Sequence, residues 1–131
     1  MIPCRISSNL TPLVDLEIND KLLTFVLDTG FNGQLEFAIT PDVLTELGAQ
    51  WFSYGNMKDP NGKSEKIDVY TIEVLWDGEN RSVFAYEIKV PRDLPEGEIP
   101  ANLVGTRMLD GHYLALEVRE GGQGSITALP Q

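Results

Sequence analysis

Apolar and polar positions alternate along much of this chain with a period of two. Between Leu13 and Asn19, the residues Val14, Leu16 and Ile18 fall on one side and Asp15, Glu17 and Asn19 on the other. That alternation predicts a half-buried strand. Asn19-Asp20 is a turn signal and Lys21 to Leu27 returns as a second strand, which makes a hairpin. Gln34 to Ile39 reads as another short strand. Ile67 to Trp76 carries Ile72, Val74 and Trp76 in alternation, and Arg81 to Val90 carries Phe84, Tyr86 and Ile88. The two are joined through Asp77-Gly78-Glu79-Asn80, and their aromatic residues are read as core. Leu103-Val104 is a short buried strand. Tyr113 to Val118 alternates again, and a turn over Glu120 to Gly124 lets Ser125 to Leu129 pair back as a last strand.

Two stretches break the period. Thr40-Pro41-Asp42 is a helix start: Thr40 is placed to accept from free amides, Pro41 suits the first turn, and Asp42 faces the positive end of the helix dipole. Val43, Leu44 and Leu47 share a face, and Gly48 ends the helix. This helix is scaffold. A second, shorter helix is expected over Arg107-Met108-Leu109, after Gly105 and with Thr106 placed to cap it, stopping near Gly111. The polar stretch Trp51 to Lys66 holds the turn Asp59-Pro60-Asn61-Gly62, flanked by arms of about 52–58 and 63–70. Pattern alone does not separate an ordinary surface hairpin from a functional one. Pro91 to Pro100, rich in proline and acid, reads as a connecting loop.

Composition narrows the function classes. A chain of 131 residues, 42% hydrophobic and 23% charged, is the size and make-up of one soluble globular domain. No apolar run approaches the roughly 20 residues of a membrane span, and no signal-peptide pattern follows Met1. With Cys4 as the single cysteine, a cytoplasmic location is the default expectation and no membrane partner is expected. A net charge of −10 opposes nucleic acid as a partner and argues against a small β-barrel that binds it. One histidine and one cysteine do not make a zinc site of the usual kind. No Gly-x-Ser-x-Gly elbow is present for a serine hydrolase.

The chemistry concentrates in Leu22 to Gly33. An apolar run rises to one carboxylate, Asp28, and breaks at once into a turn with Gly30 and Gly33. A strand end that presents a carboxylate at a rigid, open turn is what a catalytic acid or base requires. On residue type alone, an aspartate at such a junction is more often a turn former that binds its own backbone.

Val26-Leu27-Asp28-Thr29-Gly30 resembles the active-site motif of aspartic proteases. The downstream Leu103-Val104-Gly105, followed by a helix-like segment, is similar to the order in retroviral-type, single-domain members. Asp-Thr-Gly-Phe-Asn-Gly with Val-Gly-Thr-Arg-Met-Leu-Asp-Gly looks most like the small prokaryotic branch of that clan. The resemblance covers about 12–118. It implies a single domain over 1–131 with a mostly β, closed-barrel-like acid protease fold, the equivalent of one pepsin-type lobe, with one or two short helices. It also implies that the hairpin at about 52–70 is a flap over bound substrate.

The implied activity is aspartic endopeptidase, which needs no cofactor. Asp-Thr-Gly occurs once, and the chemistry needs two carboxylates, so the resemblance implies a homodimer with Asp28 facing its copy. Thr29 and Gly30 would support the active-site loop. Phe31, Asn61, Gly62, Val104 and Gly105 would bind an extended peptide or protein substrate, with Trp51 or Tyr54 as further lining. Phe31 stands where retroviral enzymes carry Ala or Ser, which implies less tolerance for large side chains. Arg107 is expected to pair with an acidic group. The competing reading is a non-catalytic peptide- or protein-binding module on the same fold.

Overall fold

Among the described residues, the apolar faces read from the sequence pack into a ten-stranded sheet that curls until it meets itself. A computed structural model describes residues 1–58, 61–89 and 101–130. The expected Pro91 to Pro100 loop and the Asp59-Pro60 half of the hairpin turn lie outside the described residues. In chain order the strands are β1 (Ile2–Ile6), β2 (Pro12–Ile18), β3 (Lys21–Leu27), β4 (Phe37–Ile39), β5 (Gln50–Lys58), β6 (Ser64–Trp76), β7 (Glu79–Glu87), β8 (Leu103–Val104), β9 (His112–Leu116) and β10 (Gln123–Ala128). Two short helices, α1 (Pro41–Leu47) and α2 (Thr106–Leu109), complete the described residues.

The sheet order is β5-β6-β7-β4-β8-β3-β2-β1-β10-β9, with a further pairing of β6 to β2. Six strands, β2, β3, β8, β4, β7 and β6, therefore form a closed circuit of pairings. Asn19 locks the last join: its amide donates to the Glu73 carbonyl (2.9 Å) and its side-chain oxygen accepts from the Glu73 amide (2.8 Å). The β2–β3 turn uses Asn19 and Asp20 with φ of 48° and 68°, left-handed values that these two residue types tolerate.

Inside the circuit, Val14, Leu16, Ile18, Phe25, Phe37, Ile39, Ile72, Val74, Trp76, Ala85 and Val104 form the core. Phe25 and Phe37 meet edge to face with ring centroids 5.1 Å apart. The Trp76 indole N–H donates to His112 Nε2 at 3.1 Å, which satisfies the one polar atom of the largest buried side chain.

Four local expectations are corrected. The strand expected over Gln34 to Ile39 is only Phe37–Ile39, because at Glu36 the side-chain carboxylate, not the backbone, takes the Phe84 amide of β7. On β7 the buried residues are Val83 and Ala85, whereas the aromatic Phe84 and Tyr86, expected in the core, are half-buried. Phe25, Phe37 and Trp76 already fill the interior, so β7 turns its small residues inward. Thr40 precedes α1 as expected but makes no side-chain cap: its amide and hydroxyl both donate to Asn102 Oδ1, at 2.9 and 3.3 Å. Gly105, not Thr106, is the residue before α2, and Thr106 begins the helix. The pattern also left out β1, whose Ile2, Cys4 and Ile6 are buried while Pro3 and Arg5 are exposed.

Candidate active site

The loop that carries Asp28 is suspended between β3 and β4, with β8 inserted between those two strands. β8 runs parallel to β3 (Leu27 opposite Val104) and antiparallel to β4 (Phe37 opposite Val104). Residues 28–36 must therefore cross over the end of β8 to travel from one neighbour to the other. Val104, fully buried, is the floor beneath that crossing.

Hydrogen bonds pin the loop along its length. The Asp28 amide donates to the Val104 carbonyl at 3.0 Å, which continues the β3–β8 ladder by one residue. The Phe31 amide donates to the Asp28 carbonyl at 3.1 Å and closes a tight turn. The Gly30 amide donates to Asp28 Oδ1 at 2.9 Å, which fixes the orientation of the carboxylate. The Thr106 amide donates to the Phe31 carbonyl at 3.1 Å, and the Gly105 amide to the Glu36 carbonyl at 3.0 Å. Glu36 Oε2 accepts from the Phe84 amide at 3.0 Å and ties the loop to β7. Asp28 is left half-buried, while Thr29 and Gly30 stand exposed at the crest.

Glycine is required beneath the loop. A Cβ on Gly105 would sit 2.3 Å from the Phe31 carbonyl oxygen and 2.7 Å from the Phe31 ring. The ring of Phe31 lies against that bare glycine. It also meets the ring of Tyr86 edge to face, with centroids 5.6 Å apart and planes at 72°. Burial, and second the charge of Asp28, push the Tyr86 hydroxyl above its ordinary pKa, which places the phenol in the field of the carboxylate.

The structure thus brings Asp28, Gly30, Phe31, Val104 and Gly105 into one cluster, with Thr29 on its crest. Val104 and Gly105 form its underside. Asn61 and Gly62 stand on another element, the tip of the β5–β6 hairpin, where Lys58 pairs with Ser64. Gly62 has φ of 82° with open space around it, so a backbone amide is free of side-chain bulk there. Trp51 and Tyr54 lie on β5 of that hairpin, about half exposed and edge to face at 5.0 Å. The Trp51 indole N–H donates to Asp68 at 2.9 Å, and the Lys66 ammonium lies 3.6 Å from the Tyr54 ring centroid. Arg107 is exposed and makes no ion pair among the described residues, so the pairing expected of it is not found.

Sequence reasoning missed Tyr86 and Glu36. Glu36, a lone acid just before the apolar Phe37-Ala38-Ile39, was a visible signal. Tyr86 carried none, because alternation with Phe84 and Ile88 is the same for a core face and a site face.

No protein-family model and no curated protein matches the sequence. Solved structures do match the fold. A retropepsin-like aspartic protease from Rickettsia conorii aligns with a TM-score of 0.58 at 16% identity, over 98% of this chain and 92% of its own. EIAV protease, solved with the inhibitor HBY-793, aligns with a TM-score of 0.53 at 16% identity, over 76% of this chain and 85% of its own. Among the described residues no helix is long and apolar enough to cross a membrane. The fold of this chain is that of the retropepsin-like aspartic proteases.

Proposed function

We propose that this chain is an aspartic endopeptidase that works as a homodimer. One observation carries the reading: a retropepsin-like fold holds Asp28 by its backbone and one carboxylate oxygen at a half-open turn. A carboxylate kept only to form the turn needs no such open face.

One chain supplies one carboxylate, and an isologous pair supplies two. Two carboxylates about 3 Å apart share a proton, because like charges at that distance do not both ionise, as in aspartic proteases generally. The ionised Asp28 takes a proton from a water held between the pair, and the water oxygen attacks the scissile carbonyl carbon. The protonated partner gives its proton to the carbonyl oxygen. The tetrahedral diol collapses as Asp28 gives the water-derived proton to the amide nitrogen, a diol hydroxyl gives its proton to the partner carboxylate, and the C–N bond breaks as the carbonyl re-forms, which restores the shared proton. No cofactor enters the scheme.

The remaining residues take supporting roles. Thr29, exposed and without a hydrogen bond from its hydroxyl among the described residues, reaches across the axis to the partner loop. Gly30 orients the carboxylate through its amide. The β5–β6 hairpin folds over an extended peptide as a flap, and the Asn61-Gly62 backbone hydrogen-bonds to it.

The test combines mass in solution with cleavage. Sedimentation across a concentration series should give a dimer, and the protein should cleave a mixed fluorogenic peptide library. Asp28→Asn should abolish cleavage while mass and peptide affinity persist. Cleavage that survives in Asp28→Asn refutes the proposed catalyst. Peptide binding without any cleavage by the native chain favours the binding-module reading.

A further inference from the structure

The Asp28 loop carries an aromatic wall that its catalytic role does not require. Phe31 follows the Asp28-Thr29-Gly30 turn directly, and its ring meets Tyr86, whose hydroxyl feels the charge of Asp28. Three constraints hold that ring in place. Its backbone is bonded on both sides, by its own amide to the Asp28 carbonyl and by its carbonyl to the Thr106 amide. One flank of the residue presses on Gly105, where even a methyl group would collide. The ring edge meets Tyr86.

Tyr86 is equally fixed. It is opposite Ala38 of β4 on one side and Val69 of β6 on the other, so its backbone lies inside the sheet. Val69 and Ile67, two positions apart on β6, are buried yet do not belong to the main core cluster. Since alternate residues of a strand share a face, Ile67 and Val69 extend the Tyr86 side of the sheet. The Phe31 ring is thus backed by Tyr86 of β7, with the buried Ile67 and Val69 of β6 on the same face.

Resting on the protease reading above, we infer that Phe31, backed by Tyr86 and Gly105, is a size filter restricting the substrate to small side chains nearest the scissile bond. A mobile ring would swing aside for a large side chain. This one is braced, with its flank against Gly105 and its edge against Tyr86. In a two-fold dimer each copy contributes one ring, so the filter acts on both sides of the cleaved bond. Tyr86 is a positioning residue: it holds Phe31 and touches no reacting atom.

The test profiles cleavage by the full chain of fluorogenic octapeptides. These carry Ala, Val, Leu or Phe in turn at each of the two positions on either side of the central bond. The native protein should favour Ala over Phe by at least about tenfold in kcat/KM at one symmetric pair of positions, the discrimination that a few methylenes supply in a shaped pocket. Phe31→Ala should abolish or reverse that preference, read as the ratio of kcat/KM values between the Ala and Phe peptides. Tyr86→Phe keeps the ring and should leave the profile unchanged, whereas Tyr86→Leu should relax it. Phe31→Leu, a milder change, guards against misfolding and should shift the profile part of the way.

If Phe31→Ala and Phe31→Leu both cleave with the native size profile, the filter is refuted while the protease reading stands. If the native chain cleaves no peptide although it is folded and dimeric, the protease reading fails and the filter with it. A Tyr86→Phe variant with a changed profile would refute the positioning role and assign the effect to the hydroxyl.

Discussion

Gly105→Ala is the sharpest probe of how the catalytic loop is held. The backbone at Gly105 is extended, with φ of −103° and ψ of −178°, so alanine adopts it without torsional strain. The whole cost is steric. The new methyl would lie 2.3 Å from the Phe31 carbonyl oxygen, 2.7 Å from Cδ2 and 3.1 Å from Cγ. The nearest clash is with a backbone oxygen, which moves only with its loop. Overpacking of this kind costs about 1–3 kcal/mol. The displaced carbonyl is the acceptor of the Thr106 amide, and weakening that bond adds about 1 kcal/mol. The sum, about 2–4 kcal/mol, corresponds to a fall in Tm of roughly 7–15 °C for a chain of this length. Urea titration and thermal melting at one fixed protein concentration measure it. Gly48→Ala is the control. Gly48 has φ of 64° with nothing within 4 Å, so its cost is the left-handed backbone alone, about 1–2 kcal/mol. Gly105→Ala should also reduce cleavage by more than its loss of folded protein explains, because the displaced loop carries Asp28. If Gly105→Ala were no more destabilising than the control and kept full activity, the close packing of β8 against the loop would be refuted.

Other expectations follow from the same geometry. Asn102→Ala should cost about 1–2 kcal/mol in urea unfolding, because the buried Thr40 loses the acceptor for both its amide and its hydroxyl. Burial pushes the Cys4 thiol up to about 11 from 9.0. Disulfide reagents at pH 8 should therefore label it slowly until the chain unfolds. Its contribution to stability should be whole below pH 9 and lost as pH rises through about 11. Asp15 is held below the usual carboxylate range, first by the Thr24 hydroxyl at 2.6 Å and then by Arg5. The depressed group stabilises the fold above the ordinary carboxylate pKa and ceases to do so as pH falls through its lowered value. Thr24→Val should accordingly cost under about 1 kcal/mol near neutrality, since the site is largely exposed, and nothing at the acid extreme. Urea curves between pH 2 and 7 test it.

What was legible in the chain was local. The β2–β3 hairpin follows from strict alternation around Asn19-Asp20, and α1 from Pro41 at its start and Gly48 at its end. Asp28 at a strand end was equally plain, because Leu22 to Leu27 is apolar and Thr29-Gly30 is not. Long-range placement was not legible. Nothing in Leu103-Val104 says that it inserts between β3 and β4, since a two-residue strand has no period to read. That insertion turns Gly105 from a strand terminator into the underside of the loop. On β7 the alternation marks a face without saying which way it points, so Phe84 and Tyr86 read as core. The decision lay with Phe25, Phe37 and Trp76, far away in sequence, which left room inside only for Val83 and Ala85. β1 was readable in principle, from Ile2, Cys4 and Ile6. Pro3 is tolerated there because β2 pairing begins only at Cys4.

The division of labour in this fold constrains how activity would depend on concentration. The six-strand circuit fixes the loop before any partner arrives: bonds within the chain tie Asp28, Phe31 and Glu36 to β8, α2 and β7. Under the proposed mechanism, association then has little left to organise apart from bringing two formed loops together. The second carboxylate comes only with the second chain, so a monomer has a shaped site and no chemistry. Below the dimer dissociation constant, cleavage should therefore rise as the square of protein concentration, and linearly above it. A rate linear throughout, in a range where sedimentation shows monomer, would mean that one Asp28 suffices and that the shared-proton scheme is wrong. Mixing native chain with excess Asp28→Asn chain sharpens the test. Mixed dimers hold one ionisable aspartate, and the inactive partner should suppress cleavage in proportion to the native chains it captures.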